Sequence, residues 1–437
     1  MGGHAVNGAD APGDAGGAKA AGRTAGERRA TVRPGGGPGE PGRQGLKGYL
    51  RSLGDRLRSG RLGAFPVVVS LLVTWIVFQS LNHNFLSPRN LSDICVDIVG
   101  PGLVAVGIVF VLLLGEVDLS VGSVSGLTAS IFAVMYVNSG EPEWLAIVSA
   151  LLSGAAIGTI QGFFFARVGV PAFVVTLAGL LVWNGLMLYV LGASGTIDLG
   201  DRGLVAELST RYFHSAALAY GLAALGTGAF FVMTYRDNRA RSRAGMSALP
   251  VWEIAERTLG VAAPSFAAAW VLEDFRGVPL ALLVFLVFVV GLDFVLRRTT
   301  YGRRIFAIGG EAEAARRSGI NVVWTRVSAF AMSGTLAAVG GLFLTSRVAS
   351  VGQTSGSTTL LINAIAAAVI GGVSLFGGRG TTWSALLGIL VIQSIASGMV
   401  LIGLETAVQY MVTGGVLLGA VILDSLSRRS QKLHGRA

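Results

Sequence analysis

Glu116 and Asp118 are the acidic pair whose setting invites a chemical reading. They fall between two long apolar runs, in the order Gly115-Glu116-Val117-Asp118-Leu119-Ser120-Val121-Gly122-Ser123. Charge at membrane depth is costly and usually purposeful. A helix broken here would set carboxylates, freed backbone groups and Ser120 on a polar pathway for a solute. A plainer reading stands beside that one: Asp118 caps the helix starting near Ser120, and Glu116 faces interfacial water. Gln161, Asn184 and Asn363 lie within other apolar runs. Each has the donors and acceptors to meet a hydroxylated solute, and equally to bridge neighbouring helices.

Ordinary catalysis has little to work with. The four histidines, His4, His83, His214 and His434, have no partner at metal-ligand or triad spacing. The single cysteine, Cys95, sits beside an apolar run and reads as a small packing residue. The glycine-rich stretch 377–380 lacks the lysine of a phosphate-binding loop. No catalytic residue, metal site or cofactor is expected, and the spans hold neither the paired aspartates nor the nucleophile motif of an intramembrane protease.

The loop 297–322 is more informative. Glu311-Ala312-Glu313-Ala314-Ala315-Arg316-Arg317-Ser318 places acids first and arginines last, as a helix dipole favours. Gly319 follows where a left-handed glycine ends a helix. One or two turns of amphipathic helix outside the bilayer are predicted. A partner protein could grip such a helix.

The elements that must position these residues are membrane helices. Hydrophobic residues make up 52% of the 437 and charged residues 13%, with a mean hydropathy of +0.66. A soluble domain could not bury that balance. The 63 glycines suit close helix approach in lipid. Apolar runs near the ~20 residues that cross a bilayer occupy 63–82, 97–115, 121–138, 144–166, 171–192, 214–235, 259–273, 278–296, 323–346, 360–375, 381–403 and 406–424. The 259–273 and 360–375 runs are short enough to be re-entrant or broken. The predicted fold is all-α, a polytopic transmembrane bundle of about 10–12 spans with a cytoplasmic coupling helix.

The net charge of +10 lies in the tail and in short loops, with no basic stripe interleaved with aromatics, so nucleic acid is not an expected partner. Arginines crowd 236–258, 297–322 and the C-terminal tail, while Arg89, Arg202, Arg211, Arg276 and Arg347 stand singly in the opposite loops. The positive-inside bias then places both termini in the cytoplasm. Residues 1–45 read as a disordered basic tail, 46–62 as an amphipathic juxtamembrane helix on the lipid surface, 63–426 as the transmembrane domain and 427–437 as a cytoplasmic tail. The breaks at 115–123 and 371–380 share serine, leucine and glycines at a helix end, as related halves of a transporter would.

Glu313-Ala314-Ala315 with Gly319-Ile320 resembles the coupling loop of bacterial ABC importer permeases. The run Tyr301-Gly302-Arg303-Arg304-Ile305-Phe306-Ala307-Ile308-Gly309-Gly310 is similar to the monosaccharide branch of that family, the ribose, xylose and galactoside permeases. Stretches 118–123, 171–179 and 366–378 carry three further signatures, so the resemblance spans about 63 to 428. Asp274-Phe275-Arg276-Gly277-Val278-Pro279, closing an extra span pair before the loop, looks most like the xylose permeases. Leu361-Ile362-Asn363 stands where the family often has Glu-Leu-Asp, and Glu311 where asparagine is common.

The resemblance implies a permease subunit in a bacterial plasma membrane, with no hydrolytic residues of its own. Two copies would form a path for a monosaccharide such as D-xylose, delivered by an extracytoplasmic sugar-binding protein. A separate ATP-binding subunit would grip the coupling helix through Glu311, Glu313, Ala314, Ala315, Arg316, Gly319 and Ile320. Glu116, Asp118, Ser120, Gln161, Asn184 and Asn363 are the pathway candidates. The alternative is a secondary active transporter of a small polar solute. It would need an ion-coupling acid deep in a span and no docking helix, whereas Glu116 and Asp118 lie at a span junction.

Overall fold

A computed structural model describes residues 65–246 and 248–433 of the chain. The readings for 1–45 and 46–62 lie outside the described residues. Every apolar run falls on a helix. In chain order, α1 (Phe65–Leu81), α2 (Pro88–Asp97) and α3 (Val99–Leu113) precede the first glycine break. Beyond it come α4 (Val121–Ala133), α5 (Glu143–Phe163) and α6 (Ala172–Leu191), with single π-helical turns extending α4 and α5. The short α7 (Leu204–Leu208) is followed by α8 (Ala216–Arg243), α9 (Val251–Phe275) and α10 (Leu280–Arg298). Next are α11 (Thr300–Gly310), α12 (Ala312–Arg317) and α13 (Val322–Val348), then α14 (Thr358–Ile370), the second glycine break, α15 (Thr382–Leu401) and α16 (Thr406–Leu433).

The all-α, polytopic expectation holds. Among the described residues, seven helices are long and apolar enough to cross a membrane, or eight if the bent pair α2–α3 is one span. α14 has 13 residues, which at about 1.5 Å per residue reach roughly 20 Å, short of a ~30 Å hydrocarbon core. The helix is short, as its run is. The helix α16 runs on through Leu433.

Local chemistry explains the unexpected start of α2. Ser87 accepts a hydrogen bond from the N–H of Asn90 and Pro88 occupies the first turn, a standard helix start. The axis then turns by 41° into α3. Pro101 has no N–H to give to the carbonyl of Asp97, four residues back, and its ring crowds that carbonyl.

Small residues set the packing. The central helix α13 lies against α3, α4 and α5. Gly334 faces the Gly154 carbonyl, Gly158 faces the Phe330 carbonyl, and a side chain on Gly340 would start 2.7 Å from the Gly100 carbonyl. Backbones meet there with no room for a methyl group, as suits helices that gain little from hydrophobic association in lipid.

The end of the bundle where α13 finishes carries an ordered cover. Strand β1 (Thr196–Asp198) pairs with β4 (Ser350–Gly352), and β2 (Tyr212–Phe213) with β3 (Val278–Pro279), both antiparallel. Glu143 accepts from the N–H groups of Leu204 and Val205 at 2.8 and 2.7 Å, holding the start of α7. Arg347 clasps α2 through Asp97 at 2.7 Å and Asp93 at 3.2 Å.

Candidate functional site

Two glycine breaks and the segment α11–α12 meet at the opposite end. α3 ends on Gly115, which has φ +81. The N–H of Gly115 goes to the Leu112 carbonyl at 2.9 Å, and that of Glu116 to Val111 at 3.3 Å. α14 ends the same way on Gly372, φ +97, with Gly372 bonded to Val369 and Val373 to Ala368. These are the paired bonds of a Schellman cap, which needs a left-handed residue that glycine supplies without strain. After each cap a polar side chain folds back on the chain: Asp118 accepts from the Ser120 N–H at 2.9 Å, and Ser374 Oγ from the Phe376 N–H at 3.1 Å. The similarity read in the letters of the two breaks therefore has a geometric counterpart.

The breaks touch backbone to backbone. The Gly378 N–H donates to the Leu113 carbonyl at 2.9 Å, and a side chain on Gly115 would begin 3.2 Å from the Phe376 carbonyl. Gly309, near the end of α11, seats in the same joint against Leu113 and Gly378.

α12 extends from that joint. Its cap is a third Schellman pair: Gly319, φ +85, donates to the Arg316 carbonyl at 3.0 Å and Ile320 to Ala315 at 3.1 Å. Ala315 is buried and Ile320 half-buried, while Glu311, Glu313, Ala314, Arg316 and Gly319 are exposed. Glu313 pairs with Arg316 at 3.0 Å and Arg317 at 3.3 Å. One face of the helix thus anchors it and the rest presents charge and small residues outward. α11 was not read from the sequence, although Thr299 caps it and Tyr301, Ile305 and Ile308 follow at helical spacing. Its Tyr301 hydroxyl is hydrogen-bonded to Ser328 Oγ of α13 at 3.0 Å, and burial pushes that phenol above its ordinary value.

The structure brings four of the six pathway candidates together. Asp118 is 2% exposed and accepts from Ser120 Oγ at 2.7 Å and from Ser333 Oγ of α13 at 3.3 Å. Ser120 also lies 2.9 Å from Gln161 Oε1. Glu116 is not simply facing water: it is 3.8 Å from Arg326 of α13, whose guanidinium sits 4.7 Å over the Phe165 ring. Asn184 lies apart, exposed on α6, and Asn363 is half-buried on α14. Ser333, Arg326 and Trp183 complete the cluster. Nothing local marks Ser333, because its contact with Asp118 is made only by folding. Among the described residues, no group of histidine, cysteine or acid side chains could hold a metal ion.

An apolar helical bundle interrupted by two capped breaks, with α11 seated against both and the exposed α12 beside it, is the layout of a multi-pass membrane permease. Residues 90–421 match the family described as branched-chain amino acid transport system / permease component, and the chain belongs to that family. It is 36% identical over 374 residues to the xylose transport system permease protein XylH of Escherichia coli K12, covering 85% of this chain and 94% of that one. The XylH of Haemophilus influenzae is 32% identical, with 86% and 99% covered. The ribose import permease protein RbsC of Bacillus subtilis is 32% identical, with 83% and 92% covered. No solved structure matches.

Proposed function

We propose that this chain is the membrane-spanning permease subunit of an ATP-driven importer that moves a monosaccharide, a pentose of the xylose type, across a bacterial plasma membrane. The carrying observation is α12: an exposed, capped helix whose neighbour α11 is wedged into both helix breaks through Gly309. A partner that moves α12 moves the joint, and the joint borders the Asp118 cluster. The similarity to xylose and ribose permeases supports the substrate class.

In this reading an ATP-binding subunit on a separate chain grips α12 at Glu311, Glu313, Ala314, Ala315, Arg316, Gly319 and Ile320. Two copies of the domain 63–426 form the path, and an extracytoplasmic sugar-binding protein feeds it. Both termini and α12 face the cytoplasm, so the β1–β4 cover faces out. Glu116, Asp118, Ser120 and Gln161 border the path, with Asn184 reaching it from the exposed face of α6 and Asn363 from α14. Nucleotide binding biases a rigid-body switch between outward- and inward-facing states.

The test is uptake of labelled pentoses and hexoses by cells whose own xylose permease is deleted, complemented with this chain and its ATPase and binding-protein partners. Xylose uptake that requires both partners is expected. Uptake independent of the ATPase would sink the reading, and uptake of a hexose in preference to pentoses would correct the substrate.

A further inference from the structure

The hydroxyl of Ser120 has one hydrogen and lies between two acceptors, Asp118 Oδ1 at 2.7 Å and Gln161 Oε1 at 2.9 Å. It can serve only one of them. On the other arm of the same amide, Gln161 Nε2 is buried without an acceptor among the described residues, and so is the indole Nε1 of Trp183 on α6. The two nitrogens converge. Both approach the point where a side chain on Gly179 would begin, Nε1 at 2.9 Å and Nε2 closer still. With Gln161 only 2% exposed, solvent offers no remedy. Buried donors left unmatched are costly, because they forgo the hydrogen bonds water would give them.

An amide has the same heavy-atom outline in either orientation, and its hydrogen bonds decide which end is nitrogen. Turning Nε2 toward Ser120 removes the competition for the Ser120 hydrogen and offers the Trp183 N–H an acceptor. We propose that Trp183 is a positioning residue for Asp118, acting through a relay. The Trp183 N–H donates to Gln161 Oε1, Gln161 Nε2 donates to Ser120 Oγ, and the Ser120 hydroxyl donates to Asp118 Oδ1. Each bond polarises the next. Asp118 then holds three donors, the Ser120 N–H, the Ser120 hydroxyl and the Ser333 hydroxyl. A buried carboxylate with no ion pair among the described residues requires such support. Gly179 belongs to the device, since any side chain there would displace the amide.

The relay crosses from α6 to the first break. α6 is exposed along most of its length and packs on α4 and α5. A shift of α6 away from α5 breaks the first bond and withdraws support from Asp118, so the relay reports the position of α6 to the break.

The experiment uses the full chain in lipid nanodiscs with 15N-labelled indoles, the Trp183 signal being assigned by its loss in Trp183→Phe. In the absence of sugar, the Trp183 indole proton should exchange slowly with deuterated water. Its resonance should shift in Gln161→Leu and also in Asp118→Asn, which keeps the shape and changes the far end of the relay. Asn184→Leu, next door on the exposed face, should leave it in place. A Trp183 signal indifferent to Gln161→Leu, or indifferent to Asp118→Asn, overturns the relay. Free exchange that slows only when xylose is added also overturns it, because both N–H groups would then be waiting for a substrate oxygen. None of these readouts depends on transport.

Discussion

The N–H of Gly378 donates to the carbonyl of Leu113 at 2.9 Å, tying the second break to the last turn of α3. Gly309 fills what space remains: a methyl group on it would run into Leu113 and lie 2.6 Å from the Gly378 nitrogen. Gly309→Ala must therefore push α11 off the joint. A loss of about 1–3 kcal/mol in stability is expected, read by thermal unfolding in detergent. Sugar-stimulated ATP hydrolysis by the assembled importer should fall by about tenfold, the effect of ~1.4 kcal/mol on one step. Gly310→Ala is the control, since a side chain there meets nothing within 4 Å. Equal losses in the two variants would show that the joint has no special part.

Gly319 has φ +85 and donates its N–H to Arg316. Proline fixes φ near about −65° and has no N–H, so Gly319→Pro dismantles the cap of α12 while leaving the spans alone. The variant should insert and purify normally, yet lose association with the ATPase in pull-down and lose sugar-stimulated hydrolysis. Retained association would remove the docking role from α12.

Arg326 and Glu116 form a pair at 3.8 Å, each side chain about a quarter exposed (24%). Its coupling should be modest. A double-mutant cycle with Glu116→Gln and Arg326→Gln, measured by thermal unfolding, is expected to give about 0.5–1 kcal/mol. Arg326→Lys should be worse than a charge-only account allows, because a lysine lacks the planar group that lies over Phe165. A cycle value indistinguishable from zero would make the pair incidental.

Tyr301 supplies a pH dependence. Burial raises its phenol above the ordinary 10.0, with the Ser328 hydrogen bond opposing in part. A folded value above the unfolded one means that the neutral phenol stabilises the fold fully below pH 10, and that this contribution fades as pH rises through the raised value. Wild-type protein should therefore lose stability in alkali more steeply than Tyr301→Phe, which has nothing to ionise. Parallel alkaline stability curves would show that the Tyr301–Ser328 contact does not anchor α11 to α13.

The parts legible in the sequence were those set by short-range rules. The charge order of 311–318 and Gly319 foretold α12 and its cap, and apolar run lengths located the helices and singled out the short α14. Helix α11 and the Ser87–Pro88 start of α2 obeyed the same rules but were hidden by a loop and by the edge of an apolar run. What could not be read was contact across the fold. The strands β1 and β4 are held by partners far apart in the chain. Ser333 looks like any small residue of α13 until it meets Asp118. Asn184 carried the same polar signal as Gln161, yet the helix turns it outward.

The three-way meeting of Leu113, Gly309 and Gly378 also bears on how the protein can change over evolutionary time. Every substitution for glycine begins with at least a methyl group, and at Gly309 a methyl already collides. There is no small step by which drift could adjust that clearance. A joint made of bare backbone also lacks rotamers, so it has no slack to absorb a displacement before passing it on. Adaptation to a new sugar or a new engine would have to be written in the helices on either side, with the bearing between them left as it is.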